Sequence, residues 1–332
     1  MKEPVHIICA ANTTFIMPLC VMLVSLVRNF DPNRDLHIHV ISTDATEEDR
    51  VKVLESIAIN RAGLDRITLQ WHAVDESLLA DFHVPSESHF SSDNYSRILA
   101  PQLLPASCER AVYLDCDLVV LADISVLFDS MAGKPQTLLA VQDRVVPFVS
   151  SNRGVFDFES RKISPKTLYF NSGVLVINLR RWRERHVTDL LVAYLREAGE
   201  RVWFVDQGAL NAVLHDDWAE LDSRWNQTSD ILHYNNWAMA GYTRGEWLRV
   251  KGSPYIVHFS GGVKPWQKCN RVPRYSYFFS YLQHTVYKDS LPWHPVLEGI
   301  LGVRAYYWVW KLCWMTRHLV EKQMGRFTGK PQ

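Results

Sequence analysis

The six cysteines of this 332-residue chain form no C-x-x-C pair and no regular framework. Cys9, Cys20, Cys108, Cys116, Cys269 and Cys313 are scattered, which argues against a disulfide scaffold or a cysteine-built zinc site. Reduced thiols in a cytosolic protein are the expectation. Neither sign of charge is in excess: Lys+Arg and Asp+Glu both number 36, so no general attraction to nucleic acid is expected. Long hydrophobic runs are missing too. The apolar stretch 16–27 contains Pro18 and is too short to span a bilayer. The N-terminus runs directly into Val5-His6-Ile7-Ile8-Cys9, without the pattern of a secretion signal. Internal repeats and low-complexity segments are absent. With 47% hydrophobic residues the chain is not disordered, and its length allows one large domain or a domain with an appendage.

What is present is alternation. Residues 5–11, 36–41, 67–71 and 111–114 are short apolar runs that read as buried strands. Between the early ones, 16–28 and 47–60 carry apolar residues at helical spacing, with Thr46 placed to cap the second. Strand–helix–strand alternation predicts a parallel sheet covered on both faces, with ligands at the carboxyl ends of the strands. The stretch 145–166 is polar and predicts a surface loop or flap. Phe170 to Asn178 predicts another buried strand, Asp206 to Asn211 the opening of a helix, and 255–259 a short strand leading into Gly261-Gly262.

Twelve tryptophans are many for this length. Most belong to an ordinary core, and some have the character to stack on sugar rings or lie at a membrane interface. The tail 300–332 differs from the rest, with six Lys/Arg, one Glu and five closely spaced Trp and Tyr. At about 100° per residue, Arg304, Lys311, His318, Lys322 and Arg326 share one helix face. Tyr306, Val309, Trp310, Cys313, Val320 and Met324 lie opposite, and Arg317 blurs that side. Two readings stay open: a basic amphipathic anchor at a membrane surface, or a helix packed on its own domain.

The chemistry concentrates in Asp115 and Asp117, which close an apolar run one residue apart. Extended backbone would point both carboxylates the same way, and hard oxygen ligands suit Mg²⁺ or Mn²⁺ better than zinc. Alone, such a pair is more often a turn former. His258 at a strand end can offer an imidazole to the same ion, and Lys264 beyond a Gly-Gly turn can reach a phosphate. Asn171 and Gln207 supply neutral amides for hydroxyl groups. Paired glycosidase carboxylates stand ~5–9 Å apart across a sugar, whereas these two are directed at one point.

Five motifs then resemble glycosyltransferase family 8, the retaining nucleotide-sugar transferases. They are His89 with Tyr95-Ser96-Arg97, Tyr113-Leu114-Asp115-Cys116-Asp117, and Phe170-Asn171-Ser172-Gly173-Val174 running to Asn178-Leu179 and Trp182. Asp206-Gln207 with Leu210-Asn211, and His258-Phe259-Ser260-Gly261 with Lys264-Pro265-Trp266, complete the set. The resemblance covers roughly residues 5–270. It implies a GT-A type α/β nucleotide-sugar-binding domain over 1–270, with a mixed, mostly parallel sheet. A helical, basic and aromatic extension is expected over 271–332.

The resemblance also implies roles. Asp115, Asp117 and His258 are the implied Mn²⁺ ligands, with Mg²⁺ the other candidate ion. Lys264 and the backbone around Gly261 are implied contacts of the diphosphate. Arg97, Asn171, Asp143 and Asp206 surround the donor sugar, and Gln207 stands nearest the anomeric carbon. Ala10, Ala11 and Asn12, with Cys116 between the aspartates, complete the donor-binding set. The implied donor is UDP-glucose or UDP-galactose, and the acceptor a saccharide, in some relatives linked to lipid. One departure touches the base. Many relatives have an aspartate where this chain has Asn12, whose amide can accept from uracil or, turned over, donate to cytosine. Uridine is the expectation. A non-catalytic nucleotide-sugar-binding protein on the same fold is the competing reading.

Overall fold

A computed structural model of the chain describes residues 2–60, 65–74, 95–234, 236–268 and 273–290. Its strands are Val5–Ala10 (β1), Leu36–Ser42 (β2), Ile67–Ala73 (β3), Arg110–Leu114 (β4), Leu118–Val120 (β5), Leu138–Gln142 (β6), Phe170–Asn178 (β7), Trp218–Glu220 (β8), Gln227–Thr228 (β9) and Ile256–His258 (β10). The main sheet has the order β3-β2-β1-β4-β7-β6-β8. β3, β2, β1 and β4 run parallel, as do β6 and β8, while β7 is antiparallel to both neighbours. The sheet is therefore mixed and mostly parallel, as expected.

The helices are Ile16–Asn29 (α1), Glu47–Asn60 (α2), Ser96–Leu103 (α3), Ile124–Asp129 (α4), Leu179–Glu184 (α5), Val187–Ala198 (α6), Val205–Val213 (α7), Arg244–Gly252 (α8), Pro265–Lys268 (α9) and Tyr275–Leu282 (α10). They cover both faces of the sheet. Ile7 and Cys9 of β1 face α1 and α2, whereas Ile8 faces α3, α6 and α7. α1 is apolar almost all round because it is wedged between the main sheet and a smaller one. Pro18 is tolerated there because it falls in the first turn. Thr46 caps α2 as expected: its Oγ1 accepts from Asp49 N at 3.2 Å, and Asp49 returns a carboxylate to Thr46 N at 3.1 Å.

The apolar run 111–120 holds two strands. β4 belongs to the main sheet, and β5 crosses into a second sheet of order β5-β10-β9. Residues 116–117 form the bend between them. This seam decides where the site lies.

One expectation is revised, and one contact bears on the extension. The segment 145–166 is a packed loop rather than a flap, because Val146, Val149, Val155 and Ile163 are buried in the core above α6 and α7. The chain beyond 270 does not stand apart at first: Phe278, Phe279 and Leu282 of α10 bury against Val21 of α1 and Val119 of β5. The basic, aromatic stretch 300–332 lies outside the described residues, as do His89, Cys269 and Cys313. Among the described residues no helix is long and apolar enough to cross a membrane.

Candidate functional site

Asp115 precedes and Asp117 lies in the bend where the chain leaves one sheet for the other. Their convergence owes nothing to strand alternation, since only Leu114 and Leu118 on either side are in strands. β10 pairs with β5 so that His258 lies opposite Leu118. Its Nε2 comes 3.2 Å from Asp117 Oδ1 and 3.7 Å from Asp115 Oδ2. One ligand atom from each of the three lies within 4.8 Å of the others.

The ring is oriented by Asn226, whose Oδ1 stands 2.9 Å from His258 Nδ1. An amide oxygen can only accept, so Nδ1 carries the proton and Nε2 faces the carboxylates. Asn226 Nδ2 donates to Asn171 Oδ1 at 2.8 Å, which also accepts from Gly173 N at 3.0 Å. Gly173 is required by space. A Cβ there would meet His258 Cε1 at 2.3 Å and Asp115 Oδ2 at 2.8 Å. These features fit a divalent ion: two hard carboxylates, one imidazole fixed by an outer hydrogen bond, and a wall that only glycine leaves open.

Cations already crowd the carboxylates. Lys264 Nζ donates to Asp117 Oδ2 at 2.5 Å and to Phe259 O at 2.7 Å. Burial raises the Asp117 pKa, but Lys264 and His258 outweigh it and hold this carboxyl below the usual carboxylate range. Burial would likewise lower His258, yet Asp117 and Asp115 pull its pKa above the ordinary value. Arg97 spans the other side, with Nη2 2.8 Å from Asp115 Oδ1 and Nε 3.0 Å from Asp206 Oδ2. Burial pushes the Asp206 carboxyl up to about 6 even though Arg97 opposes the shift.

The amides form a second row. Gln207 Nε2 donates to Asp143 Oδ2 at 3.2 Å, and its Oε1 accepts from Ser172 N at 3.0 Å. Asn171 Nδ2 donates to the same Asp143 oxygen at 3.1 Å. Asp206 and Gln207 are buried although they open α7, because the helix starts against β7.

The structure thus brings Arg97, Asp115, Asp117, Asp143, Asn171, Asp206, Gln207, His258 and Lys264 into one hydrogen-bonded network. Cys116, between the two aspartates, donates its thiol to Ala10 O at the end of β1 at 3.0 Å. Ala11 continues the ladder by donating to Ile41 O. Asn12 caps the turn Thr13–Phe15, its Oδ1 accepting from Thr14 N at 3.1 Å and from Thr14 Oγ1 at 2.7 Å. Gly261 lies in the bend between His258 and Lys264. Sequence reasoning missed Ser172, which receives Arg97 Nη1 at Oγ (2.9 Å), and Asn226. Ser172 lies inside one of the five motifs, while Asn226 has no spacing to mark it.

A mixed sheet with acidic side chains at the joint of two sheets is the architecture of GT-A glycosyltransferases, and comparison with solved structures agrees. The galactosyltransferase LgtC, solved with donor and acceptor sugar analogues, superposes with a TM-score of 0.68 over 88% of this chain and 98% of its own, at 22% identity. Within that fold the chain belongs to glycosyltransferase family 8, whose description "Glycosyl transferase family 8" matches residues 6–270. Among relatives, General stress protein A of Bacillus subtilis is 31% identical over 85% of this chain and 94% of its own length. Lipopolysaccharide 1,2-glucosyltransferase of Escherichia coli is 28% identical over 63% of this chain and 59% of its own.

Proposed function

We propose that this chain is a Mn²⁺-dependent retaining hexosyltransferase, moving glucose or galactose from a UDP-sugar to a saccharide acceptor. The observation that carries the reading is the convergence of Asp115, Asp117 and His258, with Lys264 alongside and Gln207 in the same network. Mn²⁺, or Mg²⁺ in its place, held by those three side chains supplies Lewis-acid stabilisation of the departing diphosphate. Lys264 leaves Asp117 and pairs with a phosphate oxygen. Arg97, Asp143, Asp206 and Asn171 hold the hydroxyls of the donor sugar.

Gln207 is an amide, a poor nucleophile, so a covalent glycosyl-enzyme is not part of this reading. The acceptor hydroxyl attacks from the face the diphosphate leaves. The anomeric carbon–phosphate oxygen bond breaks, the new glycosidic bond forms, and the hydroxyl proton passes to the departing phosphate oxygen. Configuration is retained. Uridine rests on the family likeness. The Asn12 amide oxygen already accepts from Thr14 N, so accepting from uracil means giving up that contact.

The name of the Escherichia coli relative supports an acceptor in lipopolysaccharide or another cell-surface glycan. We further propose that the work is done in the cytoplasm at the inner face of the membrane, with the basic and aromatic sequence 300–332 as the contact.

UDP release from a panel of UDP-sugars, with Mn²⁺ or with EDTA, tests the reading. Turnover should require the ion, favour one hexose, and fall by ~10²–10³-fold in Asp117→Ala. Proton NMR of the fresh product should show an α-linkage. Equal turnover in EDTA, or a β-linked product, would overturn the proposal.

A further inference from the structure

Trp203 is 58% exposed, whereas Trp182, Trp225 and Trp247 are buried. Its exposure is built by the backbone around it. Val202 on one side is buried against Gly208, where a Cβ would meet Val202 Cγ1 at 2.6 Å. Val205 on the other side is buried at φ 45°, a left-handed conformation that a β-branched residue adopts only under strain. Between these two anchors the chain turns Trp203 outward and sends Asp206 and Gln207 inward. The Phe204 carbonyl, one residue on, accepts from Gln207 N at 2.8 Å. The backbone on either side of Trp203 is therefore tied to the first turn of the helix that carries Gln207.

A second segment meets it. Arg153 lies with its guanidinium carbon 5.4 Å from the Trp203 ring centre, and Arg201 lies 4.6 Å from that of Phe156. Each segment places an arginine on the other's aromatic. The 153–156 segment is also held firmly: Gly154 has its backbone so close to Val149 that a Cβ would stand 2.3 Å from the carbonyl oxygen. Its loop departs from Asp143, the carboxylate that receives Gln207 Nε2. Both halves of the Trp203–Arg153 pair thus lead back to the Asp143–Gln207 contact.

We propose that Trp203 and Arg153 form the subsite for the acceptor saccharide. This rests on the transferase reading above. A flat, exposed indole matches the C–H face of a pyranose, and a guanidinium beside it offers donors to ring hydroxyls. The apolar indole face suits a sugar ring rather than a diphosphate.

The test uses the full chain labelled with 5-fluorotryptophan. The ¹⁹F signals of Trp203 and Trp237 are identified by their loss in Trp203→Leu and Trp237→Leu. Titration with methyl β-lactoside and with methyl α-glucoside should move the Trp203 signal saturably and leave the Trp237 signal in place. In transfer assays Trp203→Leu should raise the KM for the glycoside about tenfold, with Trp203→Phe recovering most of it. Hydrolysis of donor without acceptor should match the unaltered protein. A Trp203 signal that neither glycoside moves, or an unchanged KM in Trp203→Leu, would overturn the subsite. A signal that moves in a protein that never turns over donor would leave the subsite standing and overturn the transferase reading.

Discussion

Gly173 shows how tightly single residues are matched at the metal site. A methyl group at this position has nowhere to go: His258 is held from behind by Asn226, and Asp115 is held by Arg97. Neither side chain can retreat without leaving a buried polar partner unmade, at a cost of about 1–3 kcal/mol each. Gly173→Ala should therefore keep a folded protein with a spoiled ion site. Mn²⁺ affinity, followed by electron paramagnetic resonance of the free ion, should fall together with turnover. Unchanged affinity would mean that the ion is held elsewhere. Legibility at this scale is uneven. Asp115, Asp117, His258 and Lys264 stand out because charged or ligating groups at the ends of apolar runs are costly without a purpose. Asn226 is invisible in the sequence, since a second-row amide works only through the fold that brings it to His258. Asn12, expected from the sequence to meet the base, has its oxygen taken up by the local cap.

Among the elements, the first three strands carry a feature separate from the site. His6 of β1, His39 of β2 and His72 of β3 form a chain of imidazoles, with Nδ1 of His6 3.2 Å from Nε2 of His39 and Nδ1 of His39 3.0 Å from Nε2 of His72. Burial, joined by the neighbouring histidines, lowers His39 to about 3. Burial and then His37 lower His6 to about 4, against an opposing pull from Glu3, and burial lowers His72. The unfolded chain takes up these protons near pH 6.5, before the folded one does. The contribution to stability is therefore complete above about pH 6.5 and is lost as pH falls toward 4. His258, with its raised pKa, works in the opposite sense, so the comparison must be between variants. His39→Leu should show a shallower loss of melting temperature between pH 6.5 and 4 than the unaltered protein. Parallel curves would assign the acid sensitivity elsewhere. β1 to β4, α1 and α2 are legible within a residue or two because caps and alternation agree there. β5 is not, because only the bend at 116–117 separates it from β4, and bends of that kind are set by the partner strands. The short strands β8 and β9 rely on pairing partners in the same way.

For the molecule as a whole, the question is where the folded body ends. The expected boundary at 270 falls before α10, yet Phe278, Phe279 and Leu282 bury against α1 and β5, which borders the site. Further along, Asn60 Nδ2 donates to His284 O at 2.7 Å, and Val286 N donates to Ser56 Oγ at 3.2 Å. Removing one buried phenylalanine side chain commonly costs about 3–5 kcal/mol, a large part of a domain's total stability. We therefore propose that the folded body extends past 270 and includes α10 and the residues to 286. A chain ending at residue 270 should lose its cooperative melt, whereas one ending at 290 should keep both the melt and donor hydrolysis, since every proposed site residue precedes it. The two truncations also separate the two readings of the tail. Each basic residue near an anionic membrane surface contributes about 1 kcal/mol, so Arg304, Lys311, Lys322 and Arg326 together can hold the protein at such a surface. If they do, the chain ending at 290 should stop co-sedimenting with anionic liposomes while remaining folded and active. If it aggregates instead, residues 291–332 belong to the core and the membrane reading fails.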